Sequence, residues 1–115
     1  MKTIAFVFSA LILAASINSS AVAGGKGYFY DKDGVIAKGM TIMITEYSPS
    51  LEGVFEVQTE KDYGRSSYYT RIGDLRTASA EIKKGNYRKK PRNLEGKKFK
   101  LDADLVIYTY PEYQD

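Results

Sequence analysis

Neither cysteine nor histidine occurs anywhere in this sequence of 115 residues. The first absence excludes disulfides, which small exported domains commonly use to offset a thin core, and it removes the thiol nucleophile. The second removes the commonest general base. Together they delete the ligands that zinc and other soft metals prefer. Carboxylates remain as acid–base groups, but a glycosidase pair needs a sugar cleft between them. A domain of this length offers little room for one, and its acids fall mostly on strand faces and turns. The chain is therefore expected to have no enzymatic activity and no cofactor or metal.

Long apolar runs are also scarce. There is one, Ile4 to Ile17, broken by Ser9 and Ser16, and it is shorter than the about 20 residues of a membrane span. Lys2 precedes it and Ala21-Val22-Ala23 follows it. These are the charged start, apolar middle and small-x-small end of a secretory signal peptide over residues 1–23. Cleavage leaves residues 24–115 as a single domain with no transmembrane span, secreted or, in a bacterium, periplasmic. Such a small domain buries only about 60–65 % of the surface its unfolded chain exposes, so sheet hydrogen bonds and packing must suffice without cross-links. N-terminal sequencing of the exported protein is expected to begin at Gly24. A membrane-held product that retains Lys2 would overturn this.

Lys and Arg number 17 against 14 Asp and Glu, and removing Lys2 leaves the mature chain nearly neutral, so total charge points to no particular partner. The distribution is less even. Between Lys83 and Lys100 stand Lys83, Lys84, Arg88, Lys89, Lys90, Arg92, Lys97, Lys98 and Lys100 with a single acid, Glu95, while residues 101–115 hold acids and no base. These nine basic residues are the candidate partner-binding set. Interleaved with Tyr87 and Phe99, they suit the rim of a protein interface, and they can also neutralise an anionic glycan, nucleic acid or a membrane face. Pro91 excludes an amphipathic membrane helix. The competing reading is a solvated loop, Gly85 to Gly96, running into a strand whose lysines guard a sheet edge. The 10 tyrosines suit strand surfaces and core rims first, and interfaces second.

The dominant hydrophobic period is two. Met40, Ile42 and Ile44 alternate with Thr41, Met43, Thr45 and Tyr47. Phe55 and Val57 alternate with Glu56 and Gln58, and Tyr68 to Ile72 continues the pattern. Thr77 to Lys83 also alternates. Ala78 and Ile82 fit helical spacing as well, but the strict alternation and the glycines on each side favour a strand. Lys98 to Leu101 points Phe99 and Leu101 inward, and Leu105 to Tyr110 is a final apolar strand. Asp33-Gly34, between Gly27–Tyr30 and Val35-Ile36, reads as a hairpin turn. Ser48-Pro49-Ser50, Asp62-Tyr63-Gly64, Gly73-Asp74 and Gly85-Asn86 mark other turns. The expected fold is all-β, a small antiparallel sandwich or barrel of six to seven short strands.

Two acidic motifs fail as calcium loops. In Asp31-Lys32-Asp33-Gly34 the glycine comes fourth rather than sixth, and Ile42 and Tyr113 stand where that motif and Asp102-Ala103-Asp104 need a bidentate glutamate. Both read as turn acids. Gly24-Gly25-Lys26-Gly27 lacks the upstream glycine and the following Ser or Thr of a phosphate-binding loop.

Ala23-Gly24-Gly25, then Phe29-Tyr30-Asp31-Lys32-Asp33-Gly34 and the alternating Gly39-Met40-Thr41-Ile42-Met43-Ile44, resembles the start of MAX effectors, the Magnaporthe avirulence and ToxB-like proteins of plant-pathogenic fungi. The resemblance covers about residues 22–45. It implies a six-stranded sandwich of two antiparallel sheets, secretion, entry into host cells and non-catalytic binding of a host protein. Some members bind small heavy-metal-associated domains along an exposed sheet edge. Most members carry an inter-strand disulfide that this chain cannot form, and no family binding residue has a counterpart here. The other exported binder of this kind is a bacterial periplasmic inhibitor or immunity protein that blocks an enzyme, a reading that the absence of cysteine favours.

Overall fold

The computed structural model describes residues 26–115, so the signal peptide assigned to residues 1–23 lies outside the described residues. The described residues are mostly β, with eight strands in two antiparallel sheets. They are β1 (Gly27–Phe29), β2 (Lys32–Ile36), β3 (Thr41–Ser48), β4 (Val54–Thr59), β5 (Tyr68–Arg71), β6 (Lys98–Lys100), β7 (Leu105–Tyr108) and β8 (Glu112–Gln114). Two short helices, α1 (Ile72–Ala78) and α2 (Ala80–Lys84), follow β5. The chain divides into two units. In the smaller, β1 pairs with β8, and the Tyr28 and Tyr113 rings meet edge-on at 5.1 Å. The larger, residues 30–112, holds a six-stranded sheet in the order β2-β7-β5-β4-β3-β6.

That order forces curvature. β2 and β3 are four strand spacings apart, about 19 Å in a flat sheet. The chain from Ile36 to Thr41 reaches at most about 18 Å when fully extended, and it is shortened by a turn in which the Met40 N–H donates to the Ala37 carbonyl at 3.2 Å. The sheet therefore curls toward a barrel. Its concave face carries Ile42, Ile44, Phe55, Val57, Phe99, Leu101, Leu105 and Ile107, all buried in one core. Alternation in β3, β4, β6 and β7 places these side chains as expected.

The helices correct one expectation. Thr77 to Lys83 is not a strand but the end of α1 and most of α2. Leu75, Ala78 and Ile82 recur at three- and four-residue spacing and all join the core, so the helical period won over the alternation. A local and a distant interaction fix the break between the helices. Ser79 caps α2, its hydroxyl accepting the Ile82 N–H at 3.2 Å, and the Asp102 carboxylate accepts the Ala80 N–H at 2.7 Å. Gly73-Asp74 accordingly lies within α1 rather than in a turn.

A second correction concerns Asp33-Gly34, which forms no hairpin turn. Lys32 to Ile36 is one strand paired with β7, and its register slips between Lys32 and Gly34. Gly34 takes the slip at φ +137°, a backbone conformation that a side chain would strain. A third follows from a bulge in β3. Ile44 pairs with Val57 but Glu46 pairs with Glu56, leaving Thr45 as the extra residue. The bulge reverses the alternation, so Tyr47 packs against the core instead of facing away from it. The Thr45 hydroxyl donates to the Glu56 carbonyl across the bulge at 3.0 Å.

Candidate binding surfaces

The nine basic residues are all exposed, and the structure separates them into three places. Lys83 and Lys84 end α2, where cations complement the helix dipole. Arg88, Lys89, Lys90 and Arg92 follow on a turn that runs into a 3₁₀ segment, Pro91–Leu94. Lys97, Lys98 and Lys100 are at β6. The stretch from Gly85 to Gly96 is anchored rather than loose. Leu94 is buried in the core, the Lys97 N–H donates to the Leu94 carbonyl, and Glu95 accepts the Tyr47 N–H at 2.8 Å. Arg92 lies 3.7 Å from Glu95 and 5.8 Å from the Tyr47 ring centroid. A cleft of about 120 Å³ opens beside it, lined by Tyr47, Arg71, Tyr87, Arg88 and Pro91 among others.

The two edges of the large sheet differ. On β6, Lys98 and Lys100 flank the buried Phe99 along only three residues, a short and charged edge of the kind that discourages further pairing. Its lysines stand opposite Met43 and Thr41 of β3. On β2 the exposed residues are Lys32, Asp33, Gly34 and Val35, and Val35 leaves 54 % of its surface accessible. At the end of β2 an open groove of about 240 Å³ is lined by Val35, Ile36, Ala37, Met40 and Tyr68 together with Thr59, Lys61 and Asp62. Replacing Lys98 and Lys100 together by valine is expected to leave the fold intact and to make the protein aggregate, read as light scattering against concentration. Unchanged solubility would show that the lysines do not guard the edge.

The convex face of the sheet collects tyrosines whose grouping the sequence does not reveal. Tyr69 on β5 is the register partner of Tyr108 on β7. Tyr30 meets Tyr108 edge-on at 5.4 Å, Tyr110 meets Tyr69 likewise at 5.2 Å, and the Arg71 guanidinium sits 4.8 Å from the Tyr30 ring centroid. The Tyr108 hydroxyl donates to Asp74 Oδ2 at 2.6 Å. Desolvation first, then this hydrogen bond and the charge of Asp74, push the Tyr108 phenol up to about 12, against a lowering influence of Arg71. The folded state thus holds this proton more tightly than the unfolded state, whose tyrosines titrate near about 10. The resulting stabilisation is complete below about pH 10 and is lost as pH rises through about 12. Thermal melting is expected to decline across that window, and Tyr108→Phe to remove part of the decline.

The acids of the two rejected calcium motifs bind backbone or stand exposed. Asp102 caps α2, Asp104 Oδ1 accepts the Lys38 N–H at 2.8 Å, and Asp31 and Asp33 are exposed at the start of β2. Among the described residues no group of three or more acidic side chains is placed to hold a metal ion, and no helix is long and apolar enough to cross a membrane. No family model, curated protein or solved structure matches the chain.

Proposed function

We propose that this chain is an exported, non-enzymatic effector that binds a host protein by accepting one of its strands along β2, with the basic segment at the rim. The inequality of the two sheet edges carries the reading. Strand addition supplies affinity through main-chain hydrogen bonds and specificity through pockets for alternate side chains. The β6 edge is short and lysine-flanked, whereas β2 is longer, carries exposed Val35 and ends at a groove whose apolar side is formed by Val35, Ile36, Ala37, Met40 and Tyr68. An apolar side chain of the incoming strand fits that groove. If the resemblance over residues 22–45 extends to function, a small heavy-metal-associated domain is the kind of partner to try first. Arg88, Lys89, Lys90 and Arg92 then steer encounter rather than hold the complex, since exposed charges act chiefly on association rate.

The test uses peptides selected for binding to the mature domain. Selected sequences are expected to be extended and to alternate apolar with polar residues. Val35→Lys is expected to abolish their binding without changing the melting temperature, because Val35 is exposed and a lysine there disfavours pairing. Reversing Lys89, Lys90 and Arg92 to Glu should slow association at low salt, and the difference should fade as salt screens charges beyond about 8–10 Å. Peptides that bind Val35→Lys as well as the parent would sink the edge reading. Preferential binding of a sulfated glycan or nucleic acid by the parent, lost on the charge reversal, would replace the protein partner by an anionic one.

The lack of cysteine favours one other reading, a bacterial periplasmic inhibitor or immunity protein. It uses the same edge and differs in the partner, an enzyme whose active site is blocked. The genes beside this one separate the two. An adjacent toxin or hydrolase gene in an operon supports inhibition, and a spliced gene induced during infection supports the effector.

A further inference from the structure

The convex face of the large sheet carries an arrangement that the edge reading does not use. Glu46 on β3 and Glu56 on β4 are directly opposed register partners, and Glu56 is in turn opposite Tyr69 on β5. Glu46 faces outward because the bulge at Thr45 turns the strand over. Opposed like charges destabilise a strand pair, and neither carboxylate forms an ion pair with a described residue. The nearest cation on β5, Arg71, is engaged elsewhere. It lies over Tyr30, and its Nη2 donates to the Glu52 carbonyl at 3.2 Å. Tyr69 and Tyr110 stand beside the pair with their rings at 77°, and Tyr110 leaves 60 % of its surface accessible. Burial, then the charges of Glu56, Tyr110 and Glu46, raise the Tyr69 phenol above its ordinary value, as expected if both carboxylates act on that ring. The two carboxylates therefore stand without an ion pair among the described residues, beside open aromatic rings. The cations of this face lie elsewhere on it, Arg71 over Tyr30, Lys32 opposite Tyr108, and Lys98 and Lys100 opposite Met43 and Thr41.

We propose that this surface receives an arginine side chain of a partner protein, its guanidinium over the Tyr69–Tyr110 pair and its N–H groups donating to Glu46 and Glu56. The chemistry favours arginine over lysine. A guanidinium is planar, weakly hydrated and stacks on aromatic faces, and its five donors can serve two carboxylates at once. An ammonium is more strongly hydrated and offers no flat face. The surface is separate from the β2 edge and does not depend on it.

The probe is a blocked Gly-Arg-Gly peptide, with the same peptide carrying citrulline as the uncharged isostere. Each is titrated at low salt into isotopically labelled mature protein while the ring signals of Tyr69 and Tyr110 and the amides of Glu46 and Glu56 are followed. The arginine peptide is expected to give saturable shifts centred on these four residues, and citrulline to bind at least about tenfold more weakly. The Glu46→Gln, Glu56→Gln double variant should lose binding by a similar factor while melting at the same or a higher temperature, because the opposed charges are gone. Tyr110→Ala should weaken binding and Tyr110→Phe preserve it, since the ring face and not the hydroxyl makes the contact. Val35→Lys should leave the titration unchanged, which separates this inference from the edge reading. Equal binding of citrulline, shifts spread over all surface acids, or a double variant that binds like the parent would each overturn it. A double variant that melts lower would do so too, by showing that the two carboxylates serve the fold.

Discussion

Phe55→Ala is expected to leave the domain unfolded, or close to it, at physiological temperature. Phe55 is fully buried on β4, inside the curl of the sheet, with strands on both sides. Its ring lies 4.7 Å from that of Tyr47, and it shares the core with residues from β3, β6, β7 and both helices. Truncating a buried phenylalanine costs about 3–5 kcal/mol, part from lost transfer energy and part from the cavity left behind. Small domains have about 5–15 kcal/mol in total, and this one has neither a disulfide nor a large core to place it high in that range. Denaturant unfolding of Phe55→Leu, which keeps most of the volume, should show a far smaller loss. A Phe55→Ala midpoint near the parent's would mean that the core collapses around the gap.

Thr70→Val is expected to cost about 1–3 kcal/mol even though its shape is nearly preserved. Thr70 is fully buried, and its hydroxyl donates to the Val106 carbonyl at 2.8 Å. β5 and β7 share a single register pair, Tyr69 with Tyr108, so this hydroxyl joins the two strands where their ladder is thin. Valine removes the donor and leaves a half-buried carbonyl without it. Thr70→Ser keeps the hydroxyl and should retain most of the stability. If serine and valine destabilise equally, the methyl packing matters and the hydrogen bond does not.

The strands that were legible in the sequence are those whose neighbours reinforce a period of two. β3, β4, β6 and β7 each put their alternate apolar residues into one core. Thr77 to Lys83 was ambiguous because Ala78 and Ile82 satisfy both periods, and one of the groups that decides between them, Asp102, lies far along the chain. Asp33-Gly34 has the composition of a hairpin turn, but a glycine with positive φ serves a bulge equally well, and the strand paired with β2 is β7. The basic segment was legible as a run of charge. Its anchoring by Leu94 and the division of its residues between a turn and an edge strand were not. The tyrosine and glutamate face was hidden for two reasons. Strand order brings Tyr69, Tyr108 and Tyr110 together, and a one-residue bulge decides which way Glu46 points.

The pairing of β2 with β7 also sets the order in which the sheet can be completed. β3, β4 and β5 are joined to one another by short connections and can form as the chain emerges. β2 comes before all of them in sequence, yet among the described residues its only partner in the sheet is β7, about seventy residues later. Contacts this distant in sequence are slow to form, because loop closure must precede any gain from them. Until residues 105–108 are available, β2 lacks the strand it pairs with among the described residues. A chain stopped short of that point should remain loose, pliable enough to thread through a narrow channel, and should lock only when its last strands arrive.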